Sequence, residues 1–251
     1  MKINLKDRVA LVTGANGAIG RMICHYLGNA GCKLLAGHAG FHKDVAEQLV
    51  ADEKKEGCQI KLLEFDVSDF EATRAAIAEG EAEFGPVDIL VNVAGITKDK
   101  PLKKMDPETW QKVIDINLGG IYNCTRNVIE GMSDRGWGRV INISSINGQK
   151  GQFGQANYSA AKAGVHGFTM AVAREVARKG VTVNTISPGY IDSPMIRAVP
   201  DDIRAGIEAE IPVGRFGQPE DIASMVTFAA SEQAAWITGA DFTVNGGHFI
   251  H

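Results

Sequence analysis

Apolar residues along the chain follow two alternating patterns, short continuous runs and longer stretches with helical spacing. The runs are rich in Val, Ile and Leu, which is typical of strands covered on both faces of a parallel sheet. The stretch 158–179 shows the second pattern, with apolar residues at three- and four-residue steps. We predict strands at residues 8–14, 33–37, 60–65, 87–95, 139–145, 181–187 and 241–247.

The stretches between these runs begin with helix-capping sequences. Asp69 precedes one of them, and prolines follow Asp106 and Gln218 at the start of two others. Alternation of strands and helices predicts an α/β fold, a doubly wound parallel seven-stranded sheet with helices on both faces. No linker or repeat interrupts the 251 residues, so we predict a single Rossmann-like domain over 1–251. Its least regular stretch is 188–217, which we expect to be a mobile segment over the substrate.

Composition and charge exclude several classes of protein. The net charge of −4 argues against a nucleic-acid binder that relies on electrostatics. No apolar run approaches 18 residues, so we predict no membrane span. The first residues lack the features of a signal peptide, and we therefore expect a cytoplasmic protein. We predict no metal site, and we expect buried free thiols at the scattered cysteines Cys24, Cys32, Cys58 and Cys124.

The first predicted strand ends in the glycine-rich stretch TGANGAIG, from Thr13 to Gly20. Glycines at 14, 17 and 20 allow a tight turn and a close approach of the backbone to a pyrophosphate at a helix N-terminus. Glycine turns after strands are common, so an ordinary turn remains the alternative at this point. The position of the turn, between the first strand and the first helix, favours dinucleotide binding.

The end of the second strand bears on the choice between NADH and NADPH. An acidic residue there would bind the ribose 2′-hydroxyl of NAD, but Asp44 comes several residues too late. His38, His42 and Lys43 are candidates to meet the 2′-phosphate of NADPH instead. The alternative is that they are solvated loop residues. The sequence thus favours NADPH.

Two further strand ends carry candidate cofactor contacts. Asp66 follows the third strand, where its carboxylate and the Val67 backbone could receive an adenine amino group. The alternative is that Asp66 caps the helix that begins near Asp69. The small residues of NVAG, at 92–95, follow the fourth strand and would let a cofactor lie close to the backbone.

Tyr158 and Lys162 are four residues apart on a predicted helix, so they share one face. A tyrosine has an ordinary pKa of about 10, and we expect the nearby ammonium to lower it. Ser145, just after a strand, is placed to hydrogen-bond a substrate oxygen. Together these residues suit protonation of a carbonyl oxygen during hydride transfer. The alternative for Tyr158 is a structural tyrosine, half-buried against the sheet.

In this order the motifs resemble the short-chain dehydrogenase/reductase family over essentially the whole chain. The resemblance implies a nicotinamide cofactor, a homotetramer and a catalytic tetrad of Asn117, Ser145, Tyr158 and Lys162. Three positions, Ala18, Val93 and Ser193, depart from the family pattern, and the first two do not touch a catalytic atom. With the positions above, the implied cofactor contacts are Gly14, Asn16, Gly17, Ile19, Gly20, His38, Asp66, Val67, Asn92, Ala94, Gly95, Tyr158, Lys162, Pro188, Gly189, Ile191 and Ser193.

Within that family, the segment NGQKGQFGQANY is similar to that of acetoacetyl-CoA reductases of polyhydroxyalkanoate (polyhydroxybutyrate) synthesis. Those enzymes form (R)-3-hydroxybutyryl-CoA with NADPH. The resemblance implies that the polar run 148–155 is a substrate-facing wall, with Phe153 against a short acyl group. The implied substrate residues are Asp99, Gln152, Phe153, Gln155 and Tyr190. Candidates to meet the CoA phosphates, or else solvated surface residues, are Lys98, Lys100, Lys103 and Lys104.

Three other functions remain open from the sequence. A 3-oxoacyl-(acyl-carrier-protein) reductase would use the same chemistry on an acidic carrier protein. A dehydrogenase of a small ketone, sugar or polyol would lack the Gln-Phe-Gly-Gln stretch. A non-catalytic nucleotide-sensing scaffold is the alternative outside the enzymes, because a fold does not fix a function.

Overall fold

The structure is a computed structural model that describes residues 3–250, apart from the side chain of Met195; residues 1, 2 and 251 of the predicted domain lie outside the described residues. Seven parallel strands form one sheet in the order β3-β2-β1-β4-β5-β6-β7, which confirms the predicted sheet. The strands are β1 Val9–Val12, β2 Lys33–His38, β3 Ile60–Glu64, β4 Ile89–Asn92, β5 Gly138–Ile143, β6 Val181–Pro188 and β7 Asp241–Val244.

The helices begin where the capping sequences predict. The side chains of Asp69 and Asp106 accept hydrogen bonds from backbone N–H groups in the first turns that follow, at 3.0 and 2.7 Å. Gln218 and Asp221 form a capping box. The helices are α1 Ala18–Asn29, α2 Lys43–Lys55, α3 Phe70–Phe84, α4 Pro107–Ile114, α5 Gly120–Arg135, α6 Ile146–Lys150, α7 Ala156–Val176, α8 Pro194–Arg197, α9 Asp201–Ala209 and α10 Pro219–Ala229.

The sheet separates two apolar cores. Along β1, Ala10 and Val12 pack into one core with α1 and α10, whereas Val9 and Leu11 pack into the other with α3, α5 and α7. Successive side chains of a strand point to opposite faces, so a continuous apolar run serves both cores. Each fully buried Val or Leu contributes about 1.5–3 kcal/mol. The continuous runs therefore stabilise a sheet that is covered on both faces, as predicted.

The strand order reverses at β1, which lies between β2 and β4. Ligands of open parallel sheets bind outside the carboxyl ends of the strands at such a point. The glycine-rich turn after β1, the small residues after β4 and Ser145 after β5 all lie at this edge. The fold thus gathers the predicted cofactor and catalytic residues on one side of the molecule.

The segment 188–217 is more regular than its sequence suggests. It contains α8 and α9, and its two ends are joined by backbone hydrogen bonds. Gly217 donates to Tyr190 O at 3.0 Å, and Asp192 donates to Gly217 O at 2.8 Å. The segment is thus a pair of short helices that leave from a closed base; its motion stays a prediction.

Cys24, Cys32 and Cys124 are buried free thiols, as predicted, whereas Cys58 is only half-buried. Burial raises the pKa of the Cys32 and Cys124 thiols to about 12. Such thiols stay protonated at neutral pH and are poor nucleophiles. Between residues 3 and 250, no helix is long and apolar enough to cross a membrane, and no group of three or more His, Cys, Asp and Glu is placed to hold a metal.

Candidate active site

The turn between β1 and α1 leaves no room for side chains at two of its glycines. Gly14 has a φ of 63°, and a Cβ there would lie 3.0 Å from the Ala94 backbone. A Cβ on Gly20 would lie 2.2 Å from Gly14 O. Gly17 is the N-cap of α1, so the first backbone N–H groups of this helix face the edge of the sheet. This geometry suits a pyrophosphate and supports the dinucleotide interpretation over an ordinary turn.

Thr13 fixes the loop after β4, although it is not among the predicted site residues. Its Oγ1 accepts hydrogen bonds from the backbone N–H groups of Val93 and Ala94, at 3.0 and 3.1 Å. Asn92 instead turns its side chain to the interior, where Nδ2 donates to Asn142 Oδ1 at 2.8 Å. Only its backbone can therefore meet a cofactor. The available signal for Thr13 was a polar residue directly after the buried strand β1.

The end of β2 is more enclosed than the sequence suggests. His38 is buried, and its Nδ1 accepts a hydrogen bond from the Gly40 backbone at 3.2 Å. His42 and Lys43 are exposed at the start of α2. Asp44 lies inside α2, as expected, but the sheet brings another acid to this loop. A Cβ on Gly40 would meet the Glu64 carboxylate at 2.9 Å.

Asp66 and Val67 lie at the end of β3. The Asp66 carboxylate accepts hydrogen bonds from the Ser68 backbone and hydroxyl, at 2.9 and 2.7 Å. Asp69 caps α3, so the alternative that Asp66 is the cap is wrong. Val67 O accepts from Asn123 Nδ2 at 2.8 Å, which ties this loop to α5.

Ser145, Tyr158 and Lys162 converge beyond β5. Ser145 caps α6 through its Oγ, which accepts from the Asn147 backbone at 3.1 Å, and it also hydrogen-bonds Tyr158. Tyr158 lies in the first turn of α7, with the Lys162 Nζ 5.7 Å from its ring centroid. That ammonium donates to Ile143 O at 2.8 Å. The three side chains predicted from spacing therefore form one cluster.

The expected lowering of the Tyr158 pKa by Lys162 is wrong for this structure. Burial raises the pKa of Tyr158; the hydrogen bond with Ser145 opposes this effect, and the negative charge of Asp99 adds to it. Burial also lowers the pKa of Lys162 to about 8. Tyr158 is therefore a neutral hydroxyl at pH 7, and it is ready to donate a proton.

Asn117 occupies a π-helical turn, Asp115–Gly119, between α4 and α5. Its Nδ2 donates to Ile96 O and Val113 O, both at 2.9 Å. Its Oδ1 is buried and has no hydrogen-bond partner among the described residues. A Cβ on Gly95 would lie 2.5 Å from this oxygen. Single π-helical turns are frequent at functional sites, and this one joins the loop after β4 to the catalytic cluster.

The polar run 148–155 is only partly a wall toward the substrate. Its first three residues belong to α6, and Gln149 turns to β7, where Nε2 donates to Asp241 Oδ2 at 2.6 Å. The interpretation of the whole run as a substrate-facing wall is therefore wrong for Gln149. The remaining residues form a loop in which Gln152 is exposed and the Phe153 ring is 87% exposed.

Asp99, Gln155 and Tyr190 surround the catalytic cluster. Gln155 Nε2 donates to Asp99 Oδ2 at 2.8 Å, and Gln155 Oε1 accepts from Asn147 Nδ2 at 2.9 Å. The charge of Asp99 raises the pKa of both Tyr158 and Tyr190, although burial is the larger cause for each. Asp99 thus links Gln155 by a hydrogen bond and both tyrosines by its charge, while the Tyr190 ring lies 5.5 Å from the ring of His248.

The base of the 188–217 segment lies against β7. A Cβ on Gly189 would meet Asn245 at 2.8 Å, and Ile191 is buried. Pro188 ends β6, and the Ser193 hydroxyl accepts from the Ile196 backbone at 3.4 Å. Pro188 thus ends β6, and Gly189, Ile191 and Ser193 follow it at the same sheet edge as the glycine-rich turn, as a cofactor contact requires.

Of the four candidate lysines, Lys100 already forms an ion pair within the protein. Its ammonium donates to Asp106 Oδ2 at 2.8 Å. Lys98, Lys103 and Lys104 are exposed. These three lysines are therefore available to an anionic group, whereas Lys100 stabilises the start of α4.

A cavity of about 430 Å³ lies at the opposite edge of the sheet, near the start of β5 and β6. Trp137, Arg139, Glu232 and Trp236 line it. The buried Arg139 guanidinium donates hydrogen bonds to the Glu232 carboxylate, 3.5 Å away, and to backbone carbonyls. The charged groups of this cavity are therefore bound to each other and to the backbone, and the candidate catalytic residues remain those around Tyr158.

Comparison with known proteins agrees with this geometry. A family model described as short chain dehydrogenase matches residues 8–204. An acetoacetyl-CoA reductase of Rhizobium meliloti (strain 1021) is 52% identical over 97% of this chain and 99% of the relative. An acetoacetyl-CoA reductase of Allochromatium vinosum is 50% identical over 97% and 99%. The 3-oxoacyl-(acyl-carrier-protein) reductase of Escherichia coli (strain K12) is 42% identical over 99% and 100%.

Proposed function

The chain belongs to the short-chain dehydrogenase family, and on this premise we propose that it reduces acetoacetyl-CoA, or a related short 3-oxoacyl-CoA, with NADPH. The product is the (R)-3-hydroxyacyl-CoA. The observation that carries the proposal is the convergence of Tyr158 and Ser145 with the Asp99–Gln155 pair. The site therefore combines a proton donor, Tyr158, with a loop that carries the exposed ring of Phe153. The names of the relatives above support the substrate.

The described residues fit a nicotinamide dinucleotide. The tight turn at Gly14 and Gly20 leaves backbone, rather than side chains, at the start of α1. The buried Asn117 Oδ1, which has no hydrogen-bond partner between residues 3 and 250, is a second feature suited to a bound group. The bound dinucleotide would supply a hydride. The 17 cofactor contacts predicted above are proposed to hold it, with Asn92 contributing only backbone.

Tyr158 is the proposed general acid. As hydride reaches C3 of the substrate, the C3 oxygen gains negative charge and takes the hydroxyl proton of Tyr158. Ser145 hydrogen-bonds the same oxygen. Lys162, whose pKa of about 8 keeps it mostly protonated at pH 7, stabilises the tyrosinate that remains. The Asn117 turn would complete the path by which Tyr158 regains its proton.

Gln152, Phe153 and Tyr190 are proposed to fix the short acyl group. Phe153 is 87% exposed, and a ring this exposed gains apolar contact when a partner covers it. Tyr190 lies at the closed base of the 188–217 segment, so motion of the α8–α9 tip would cover the thioester without displacing it. Lys98, Lys103 and Lys104 are proposed to meet the CoA phosphates.

We expect kcat/KM with NADPH to exceed that with NADH by at least about tenfold, which is 1.4 kcal/mol of binding. The reason is that β2 ends without an acid, and the loop after it leads to the exposed Lys43 at the start of α2. Glu64, beside Gly40, works against this preference. Initial rates with each cofactor at saturating acetoacetyl-CoA test it. Equal values of kcat/KM would contradict it.

Replacing Phe153 by Ala is expected to raise KM for acetoacetyl-CoA about 10-fold, because a buried phenyl group contributes about 1.5–3 kcal/mol. We expect kcat to change less, since the ring touches the acyl group and not the reacting atoms. The matched control is Tyr122→Ala, which removes a half-exposed ring of α5 that stacks on Phe70. An unchanged KM in Phe153→Ala would show that Phe153 does not line the acyl pocket.

The second candidate substrate is a 3-oxoacyl group on an acyl carrier protein. The exposed Lys98, Lys103 and Lys104 favour it as much as they favour CoA, because an acidic partner and a phosphate both need positive charge. Values of kcat/KM on acetoacetyl-CoA and on acetoacetyl-acyl-carrier protein decide between the two. We expect the CoA ester to be preferred.

A homotetramer in the cytoplasm is also part of the proposal. Met170 and Trp236 are exposed apolar residues that line two neighbouring cavities, which suit burial by another copy of the chain. The free cysteines fit a reducing compartment. The molar mass from size-exclusion chromatography with light scattering tests the tetramer.

A further inference from the structure

The turn 245–249 follows β7 and packs against the returning end of the 188–217 segment. The Val213 backbone N–H donates to Gly246 O at 3.1 Å. A Cβ on Gly246 would lie 2.9 Å from the Ile211 side chain. The turn and the segment are therefore in close contact, and the turn is placed to influence how the segment sits over the site.

Asn245 gives this turn a defined shape. Its Oδ1 accepts from the Gly247 backbone at 2.9 Å, and its Nδ2 donates to Phe249 O at 2.8 Å. The His248 backbone N–H donates to Asn245 O at 3.2 Å. The backbone on both sides of His248 is thus fixed, so the turn holds this side chain in one place.

The imidazole of His248 lies where the turn meets α6 and both ends of the segment. Its side chain is only 6% exposed. Its ring centroid is 5.5 Å from that of Tyr190, just after β6, and the two rings are inclined by 30°. Its Nε2 is 3.2 Å from the Nζ of Lys150, the last residue of α6, and 3.6 Å from the Oε2 of Glu210, just after α9.

The contact with Lys150 assigns the ring nitrogens of His248. An ammonium group has three donors and no acceptor, so Nε2 is the acceptor at 3.2 Å. Glu210, at 3.6 Å, is too distant for a hydrogen bond. Burial, followed by the charge of Lys150, lowers the pKa of His248, and Glu210 opposes this effect. The ring is therefore neutral at pH 7, with its proton on Nδ1, and Lys150 fixes its orientation.

The Tyr190 ring that His248 contacts faces the reacting end of the site. Burial raises the pKa of Tyr190, and the charges of Glu210 and Asp99 add to this effect. The same Asp99 raises the pKa of Tyr158. Tyr190 is thus within electrostatic reach of a carboxylate that also acts on the proposed general acid. Its backbone carbonyl accepts from Gly217 at 3.0 Å, while His248 packs against its side chain.

We propose that His248 is a positioning residue of the reductase site, which fixes the Tyr190 ring at the base of the 188–217 segment. Lys150 in turn fixes the plane of the imidazole. The inference rests on the proposed function, in which Tyr190 fixes the short acyl group. His248 acts through Tyr190 and takes no part in proton or hydride transfer. Its loss should therefore change KM for the acyl substrate, and should leave kcat and KM for NADPH nearly unchanged.

Ring variants at position 248 test this proposal. His248→Ala removes the ring, and we expect KM for acetoacetyl-CoA to rise about fivefold while kcat changes less than about twofold. His248→Phe keeps a ring against Tyr190 and should hold KM within about twofold of wild type. In a Tyr190→Leu background, His248→Ala should have no further effect, because the two residues act as a unit. The matched control is His25→Ala, which removes a ring 6.2 Å from that of Tyr26 on α1 and should leave KM unchanged.

Lys150→Met tests the hydrogen bond that orients the imidazole. We expect KM for acetoacetyl-CoA to rise about twofold in the wild-type background, because one hydrogen bond is lost. In the His248→Phe background the same change should have no effect, since a phenyl ring has no nitrogen to accept. An equal rise in both backgrounds would overturn the orienting role of Lys150. If a thermal melt shows that His248→Ala does not fold, this pair of variants decides the proposal.

A second measurement is made on the free protein without turnover. The rate of trypsin cleavage after Arg197 and Arg204, on α8 and α9, reports how firmly the segment is held. We expect His248→Ala to be cleaved at least about threefold faster than wild type, and His25→Ala to match wild type. Equal rates for His248→Ala and wild type, or a KM effect that persists in Tyr190→Leu, would overturn the proposal. If the protein does not reduce acetoacetyl-CoA, the proposed function fails, and the cleavage rates still decide whether His248 holds the segment.

Discussion

Replacing Tyr158 by Phe is expected to lower kcat for acetoacetyl-CoA by about 10²–10⁴-fold, the usual contribution of a general acid. The ring and its packing in α7 remain, while the hydroxyl that contacts Ser145 is removed. We expect KM to change little, because the acyl group is bound by other residues. Steady-state rates with NADPH at pH 7 measure both constants.

The control for this variant is Tyr122→Phe. Tyr122 is a half-exposed tyrosine of α5 that stacks on Phe70, away from the catalytic cluster. It loses the same hydroxyl, so kcat should stay near the wild-type value. A near-wild-type kcat in Tyr158→Phe would show that another group is the general acid.

Replacing Lys162 by Met is expected to abolish measurable turnover while raising the free energy of unfolding at neutral pH. Burial lowers the pKa of Lys162 from 10.5 to about 8, so the folded protein holds an ammonium in surroundings that favour the neutral amine. Each unit of a pKa shift corresponds to about 1.4 kcal/mol. Met avoids this cost but also loses the hydrogen bond to Ile143 O. The expected net gain is about 1–3 kcal/mol.

The pH dependence of this gain follows from the direction of the shift. Below pH 8 the lysine is protonated in both the folded and the unfolded protein, and its full cost is present. Between about pH 8 and 10.5 the unfolded chain holds more protons, so the stability of the wild type rises with pH. The advantage of Lys162→Met should therefore shrink across that window. Urea unfolding at pH 7 and pH 10 measures it, with the exposed Lys179→Met as the control. An advantage that is equal at both pH values would contradict the assignment.

Strand positions and their common edge could be predicted because burial on both faces demands continuous apolar runs. The same argument could not reveal polar side chains that pair inside the sheet. The position of Asn92 at the end of β4 predicts a side chain available to a ligand, yet the neighbouring β5 presents Asn142 to it at 2.8 Å. Thr13 acts through the loop after β4, which is 80 residues away in sequence. Such partners depend on strand order, which spacing along the chain does not encode.

The charge state of Tyr158 was beyond reach for a similar reason. A four-residue spacing places Lys162 on the same face of α7, but it does not say where the ammonium binds. In the structure the Lys162 ammonium donates to the Ile143 carbonyl, and the surrounding protein buries the phenol of Tyr158. The desolvation of a side chain depends on how the whole site is packed. It raises the pKa of Tyr158, whereas the spacing of Tyr158 and Lys162 alone predicted a lower pKa.

The most direct test is the initial rate of acetoacetyl-CoA reduction by the purified protein with NADPH, followed by chiral analysis of the product. We predict saturable oxidation of NADPH with one equivalent of (R)-3-hydroxybutyryl-CoA formed. The rate should be lost in Tyr158→Phe. Absence of turnover on acetoacetyl-CoA, together with turnover on a carrier-protein substrate or a small ketone, would contradict the proposed function.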